Sequence, residues 1–209
     1  MFPKPLSTLF SPTQTKVDAH ANGLLDIGIK SGDTIGLWMD ECPERHVTLL
    51  AAAKAGLKVA DIDTSISTVP QLREALSLAK CKALVFHPIT PSQNCLLLLR
   101  KSIPELYYFE DEYGQFFHSK HFPELKYFIQ TGYDQEVGCL NYKYVKLPSP
   151  IESAVARTAA ATKDETPLYF KISGGAKVSA GSVQSHSAVE KADVWPFMKK
   201  LHNLEYFEI

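Results

Sequence analysis

Between residues 13 and 86 the apolar residues switch repeatedly between a helical and a strand period, and this alternation constrains the chain more than any other feature. Thr13 to Ile29 carries Val17, Leu24, Leu25 and Ile27 on one side, with Pro12 near its start, and predicts a helix. Gly28 and then Ser31-Gly32-Asp33 break it, and "TIGLWM" (Thr34 to Met39) predicts a buried strand. Pro43 opens a second helix, with Glu44 in the first turn, where a carboxylate suits the helix dipole. Val47, Leu49, Leu50, Ala53 and Ala55 form its apolar side, and Gly56 ends it. Val59 to Ile62 predicts a short strand, Val69 to Lys80 a helix capped by the Ser67 hydroxyl, and Ala83 to Phe86 a third strand. Helix and strand thus alternate three times. Such a pattern folds as α/β, with a mostly parallel sheet, right-handed crossovers and flanking helices.

Beyond residue 86 the pattern loosens. Pro91 to Ser102 predicts a helix. "ELYYFE" (105–110) and "LKYFIQ" (125–130) predict strands flanking the aromatic loop "DEYGQFFHSKHF" (111–122). Residues 146–163 are rich in Pro, Ser, Ala and Thr and read as a surface linker with room for one helical turn. A strand from Leu168 to Ile172 and a last helix from about Ser187 to Leu201 follow. The expected organisation is an α/β region over 1–145, a linker over 146–166, and a strand, loop and helix of the same partial domain over 167–209.

Bulk numbers exclude several classes of function. A length of 209 residues allows one domain with a substantial core or two small ones. A formal net charge of -1 gives no global field that would favour nucleic acid or anionic lipid, so no nucleic-acid partner is expected. The longest apolar runs, at 48–53 and 95–99, fall far short of the ~18 residues of a membrane span, so no transmembrane segment is expected. Peripheral membrane contact stays open. Cys42, Cys81, Cys95 and Cys139 include no C-x-x-C pair, which predicts reduced, mostly buried thiols rather than a zinc site or a disulfide framework. The start, Met1-Phe-Pro-Lys-Pro-Leu, has neither a secretory apolar core nor the Arg-rich amphipathic helix of a transit peptide, which leaves import by an internal signal open.

Few constellations carry chemistry. His118-x-x-His121 lacks further ligands at zinc spacing and is expected in a solvated loop, so no metal site is expected. H-E-x-x-H and G-x-S-x-G do not occur. Asp61 and Asp63 flank Ile62 and suit either chemistry or capping of the next helix. Tyr107, Tyr108, Phe109, Phe116, Phe117 and Phe122 lack interleaved Arg or Lys, which favours core or protein-interface packing over a base-stacking platform. The remaining feature is "ISGGAKVSAGSVQSH" (172–186). It follows the apolar run Pro167-Leu168-Tyr169-Phe170, where a phosphate loop would sit, yet contains no Gly-Lys-Ser or Gly-Lys-Thr.

Residues 21–86 resemble the N-terminal region of acyl-CoA synthetases, in the adenylate-forming superfamily. Gly28, Gly32 and Asp33 match that family's "G-x-x-x-GD", and Pro43 and Glu44 its "N-x-PEW". Ala53-Lys54-Ala55-Gly56 matches "AKAG". Ile62 to Leu72 matches "iNp-x-yr-x-x-EL", with Asp63 in place of the usual Asn. "CKALVF" matches the strand that follows, and "FPELKYFIQTG" is similar to "lPeLkhvI-x-x-g". The medium-chain branch looks most similar. The resemblance implies an α/β fold like a truncated N-terminal domain of such an enzyme.

The family's nucleotide loop reads roughly "F-T-S-G-T-T-G-x-P-K-G-x-x-x-S-H". Laid on this chain without a gap, Ser173, Gly174, Gly181, Ser185 and His186 match. Gly175 and Ala176 stand where two threonines belong, Lys177 replaces a glycine, Ser179 the proline and Ala180 the lysine. Hydroxyls and an ammonium hold phosphate as donors and as charge, and Gly and Ala supply neither. The resemblance also places later parts of the active site beyond residue 209 and implies apolar faces that are either repacked or buried on another protein. The expectation is a non-catalytic, acyl-CoA-synthetase-like accessory or structural subunit of a multiprotein complex, mitochondrial or otherwise cytoplasmic, with no catalytic residues and no cofactor. The alternatives are a partial ligase, using ATP, magnesium and CoA, that another chain completes, and a sensor of acyl-CoA or nucleotide.

Overall fold

A computed structural model describes residues 11–110, 117–147 and 154–191. Phe116, the aromatic loop over 111–115, residues 148–153 of the expected linker and the expected last helix beyond Lys191 lie outside the described residues. The first seven elements follow the sequence periods: α1 (Ser11–Asp26), β1 (Thr34–Trp38), α2 (Pro43–Lys54), β2 (Lys58–Ile62), α3 (Val69–Ala79), β3 (Ala83–Phe86) and α4 (Cys95–Ser102). They are followed by β4 (Tyr127–Gln130), β5 (Leu140–Asn141), α5 (Ala154–Ala161), β6 (Pro167–Ser173), β7 (Ser179–Ala180), β8 (Gln184–Ser185) and α6 (His186–Lys191).

The strands form one sheet in the order β5-β4-β3-β1-β2-β6-β7, with β8 also on β6. Strands β1 to β6 pair in parallel, and only β7 and β8 run antiparallel to β6. β1 lies at the centre and is buried along its whole length, as its unbroken apolar run requires. One face of the sheet packs Leu24, Leu37, Leu49, Val59 and Ile129 with α1, α2 and α5. The other packs Trp38, Leu72, Leu84, Phe86 and Phe128 with α3 and α4. Phe117 and Phe122 join this second core, whereas Tyr107 and Tyr108 are exposed.

Three local expectations are corrected. Thr68, not Ser67, Asp61 or Asp63, caps α3, accepting from the Gln71 N–H at 3.5 Å. α4 begins at Cys95 rather than Pro91, because the Asn94 side chain accepts from the Leu97 N–H at 2.8 Å and fixes the start there. "ELYYFE" is not a strand. Pro104 opens a 3-10 turn over Pro104–Tyr107, and the Tyr108 N–H donates back to Glu105 O.

Residues 142–147 are docked on α1 by backbone. Leu147 N–H donates to Ala19 O at 2.9 Å, and His20 Nδ1 bonds Val145 O at 2.8 Å. Gly23 permits this approach, since a Cβ there would lie 2.6 Å from Val145 C and O. Within 146–166, α5 packs on α1 and α2 and buries Val155.

Candidate functional site

The loop over 172–186 starts at the carboxyl end of β6, beside the carboxyl end of β2. The register pairs Asp61 with Lys171 and Ile62 with Ile172, and the Asp63 N–H extends the ladder to Ile172 O at 2.9 Å. The carboxyl edge of a parallel sheet is where such folds place ligands. The chain does not pass from strand to helix directly. It turns at Gly174–Val178 and returns as β7, pairing Ser173 with Ser179 and Ile172 with Ala180. Gly181 N–H then bonds Lys171 O at 2.8 Å, and β8 follows the start of β6, pairing Pro167 with Ser185.

This hairpin separates the sequence-predicted loop residues into two groups. Ser173, Gly174, Gly175, Ala176 and Lys177 stand at the carboxyl end of β6, with Ala180 and Gly181 alongside. Ser185 and His186 stand at its amino end, six residues back along the strand, about 20 Å at ~3.3 Å per residue. There the His186 N–H donates to Thr166 O, and its partly buried ring has its pKa lowered by burial, against the pull of Asp164. His186 therefore does not meet the Gly174 turn.

The turn itself is mostly solvent-facing. Gly175, Ala176 and Lys177 are exposed, and Val178, buried in the second core, is its apolar anchor. Gly175 has φ +134°, a conformation closed to a β-branched residue without strain. Gly174 lies so close to the β2–α3 connection that a Cβ would meet Ser65 Oγ at 2.6 Å and Ile66 Cγ1 at 3.1 Å. Gln71 Nε2 donates to Gly175 O at 2.9 Å. Asp63 accepts from the Ser65 N–H at 2.9 Å. Hydrogen bonds from Ser65 and from the Gly174 backbone, with the charge of Lys171, hold the Asp63 carboxyl below its ordinary pKa.

Asp61 has a different fate. It is buried, and its carboxylate takes Arg45 Nη2 at 2.8 Å and the Tyr169 hydroxyl. Arg45 also donates to Met39 O at 3.2 Å and to Glu41 Oε1 at 3.0 Å, and Glu41 binds His46 Nε2 at 2.6 Å. Burial works against the Arg45 charge, but the hydrogen bond and charge of Asp61 outweigh it and raise its pKa. Arg45 is thus committed to partners within the chain, while the exposed Lys171 on β6 lies close enough for its charge to act on Asp63. Nothing in the sequence marked Arg45 or Tyr169, because their pairing with Asp61 joins α2, β2 and β6 across 16 and 108 positions.

Among the described residues, no three His, Cys, Asp or Glu side chains are grouped to hold a metal ion, and no helix is long and apolar enough to cross a membrane. His118 and His121 are exposed. Cys81, Cys95 and Cys139 are buried and Cys42 half-buried, all as free thiols, and burial pushes the Cys81 thiol up to about 12.

The family described as AMP-binding enzyme matches residues 10–120. A mitochondrial medium-chain acyl-CoA ligase, ACSF2, from Bos taurus is 32% identical over 97 residues, which are 46% of this chain and 16% of that one. The Danio rerio ACSF2 is 32% identical over 100 residues, with the same coverage. The chain therefore spans about a sixth of the length of the curated relatives it matches. Among solved structures, the anthranilate CoA ligase AuaEII in complex with anthranoyl-AMP superposes with a TM-score of 0.64 at 18% identity, covering 90% of this chain and 31% of that one. A putative long-chain-fatty-acid CoA ligase from Rhodopseudomonas palustris CGA009 gives a TM-score of 0.66 at 11% identity, covering 90% and 40%. The mostly parallel sheet flanked by helices is the fold these ligases share with it.

Proposed function

The chain belongs to the AMP-binding enzyme family, and from that premise we propose that it is a non-catalytic, acyl-CoA-synthetase-like protein serving as an accessory or structural subunit of a larger assembly. The observation that carries this reading is the chemistry of the 173–181 turn. Gly175, Ala176 and Ala180 stand at the positions where the resembled loop has two hydroxyls and an ammonium. A hydrogen bond to a charged group contributes about 1.5–3 kcal/mol, so three lost contacts weaken nucleotide binding by roughly three orders of magnitude or more. Lys177 adds one exposed cation, without the converging donors that make a phosphate site.

Two further observations favour a subunit. On the α3–α4 side, Leu78 and Leu97 are 40% and 43% exposed and Tyr108 is 88% exposed, as suits a surface that another protein covers. The relatives named above are mitochondrial by name, which favours a mitochondrial assembly.

The test pairs two measurements. ATP–pyrophosphate exchange with medium-chain fatty acids should stay at background, and affinity purification from mitochondria should recover other proteins at fixed stoichiometry. Exchange that scales with protein and disappears in Lys177→Ala would instead establish a ligase that another chain completes. A monodisperse, stable monomer on ultracentrifugation would overturn the subunit reading.

A further inference from the structure

The sheet has two edges, and they are finished differently. At one, β5 is covered: Leu140 and Asn141 are 7% and 3% exposed. At the other, Ser179 and Ala180 of β7 are both exposed, and so are Gly181, Ser182 and Val183 after them. Bare edges are ordinarily guarded by charged side chains, by proline or by a covering element. Residues 178–185, "VSAGSVQS", contain no charge and no proline. The shifted register lies further along, where β8 pairs with Pro167 and Tyr169. Within β7 the ladder makes Ala180 the outward rung. Ala180 stands opposite Ile172, and the next N–H, that of Gly181, donates to Lys171 O at 2.8 Å. In an antiparallel ladder this puts Ala180 in a non-hydrogen-bonded pair, whose own N–H and C=O point away from the neighbouring strand. They are placed to pair with one strand more.

We propose that β7 is a self-association edge, on which a second copy of this chain adds its own β7, antiparallel, about a two-fold axis through Ala180. The register that such an axis imposes is permissive. It sets Ser179 against Gly181, Val178 against Ser182 and Lys177 against Val183 of the second copy. No like charges stand opposite each other. The Lys177 stem covers Val183, which is 53% exposed, and leaves the ammonium in water. The two Ala180 residues exchange both backbone bonds, and the sheet runs on through the axis. α3 packs beside β7 and α6 beside β8, so their copies come alongside and widen the contact. An extended segment of another protein would gain the same backbone bonds, but only a second copy brings the matching register by symmetry. This contact goes beyond the accessory-subunit reading and does not rest on it, since it needs no other protein.

The experiment is sedimentation velocity of the full chain from micromolar to hundreds of micromolar concentration. The unaltered protein should pass from monomer to dimer over that range. Ala180→Pro removes the outward N–H and leaves the Gly181 bond to Lys171 O in place, so it should stay monomeric. Ala180→Lys and Ala180→Glu each set like charges face to face on the axis, and each alone should weaken association about tenfold or more. Mixed in equal amounts, these two variants should associate again, because opposite charges then meet. That mixture also carries the test if Ala180→Pro folds poorly. Leu97→Lys, on the α3–α4 side, should dimerise like the unaltered protein. A monomer throughout the range overturns the proposal. So does a dimer that survives both charged variants, or a mixture of the two that fails to associate. A dimer lost in Leu97→Lys and kept in the Ala180 variants places the contact on the α3–α4 side and overturns it equally. ATP–pyrophosphate exchange by the unaltered protein is a separate failure, because it sinks the non-catalytic reading whatever the sedimentation of these variants.

Discussion

Asp61 and Asp63 stand two residues apart and belong to regions built on opposite terms. Asp61 faces the core, with its side chain 9% exposed, and is held by the side chains of Arg45 and Tyr169. Asp63 is half-buried and accepts from the Ser65 N–H beside a mostly exposed turn. The first region extends across α1 and α2 to the buried His20 and to Gly23, against which residues 145–146 press. The second is anchored by Val178 and a close approach at Gly174. In the first, a polar contact cannot be lost without leaving a buried group unpaired. In the second, water replaces what is lost.

The difference is best broken from the buried side. Asp61→Ala takes from Arg45 its buried carboxylate, leaving it Glu41 and Met39 O, and should cost about 3 kcal/mol in urea unfolding. Replacing Arg45 and Asp61 together by Met and Leu should cost less than Asp61→Ala alone, because the cost lies in a buried guanidinium that has lost its buried carboxylate. A double variant as unstable as the single one would show that packing, not charge, sets the effect.

Gly23→Ala comes next. Its Cβ would meet the Val145 carbonyl at 2.6 Å, and only backbone movement relieves that, so about 3 kcal/mol of destabilisation is expected. Retention of the parent melting temperature would contradict the docking of 142–147.

Acid tests the same surface. Burial lowers the His20 pKa to about 4, with the Val145 hydrogen bond opposing and the Lys146 charge adding to the lowering. The folded protein thus keeps His20 neutral where the unfolded chain, with a pKa near 6.5, takes up a proton. This contribution is complete above about pH 6.5 and is lost as pH falls towards 4, to a total of roughly 3 kcal/mol. The comparison is the pH dependence of the urea midpoint in His20→Phe, which should lack that part of the decline.

The turn should respond least. Gly174→Ala displaces only the Ser65 hydroxyl and Ile66 and should cost about 1 kcal/mol. Lys177→Ala should fall within about 0.5 kcal/mol of the parent. If either variant rivals Gly23→Ala in a thermal melt, the two regions are not as different as their burial implies.

Much of this architecture was legible in advance, and the reason is periodicity. α1 to α3, β1 to β4 and β6 announce themselves because each buries a continuous side or run against the core. β5, β7 and β8 have two residues each and exist only as ladder bonds to distant strands, so no local period encodes them. "ELYYFE" has strand composition but forms a turn, because Pro104 sets the backbone and only Leu106, with Phe109 in part, packs into the core. In the candidate site, the missing hydroxyls and ammonium could be read from the letters. Asp63 could be seen as a departure from the resembled motif, but not as an acceptor for the Ser65 N–H.

The sequence by itself determined the alternation, hence the parallel α/β sheet, and the side chains present in the turn, hence where it departs from the resembled phosphate loop. Those are properties of residue type and spacing. Tertiary structure alone decided that Arg45 is committed to Asp61, that the turn folds back on β6, and that Ser185 and His186 lie at the opposite end of that strand from Gly174. Each of these depends on which strands become neighbours. That choice is made by burying both faces of the sheet at once, not by any segment read alone.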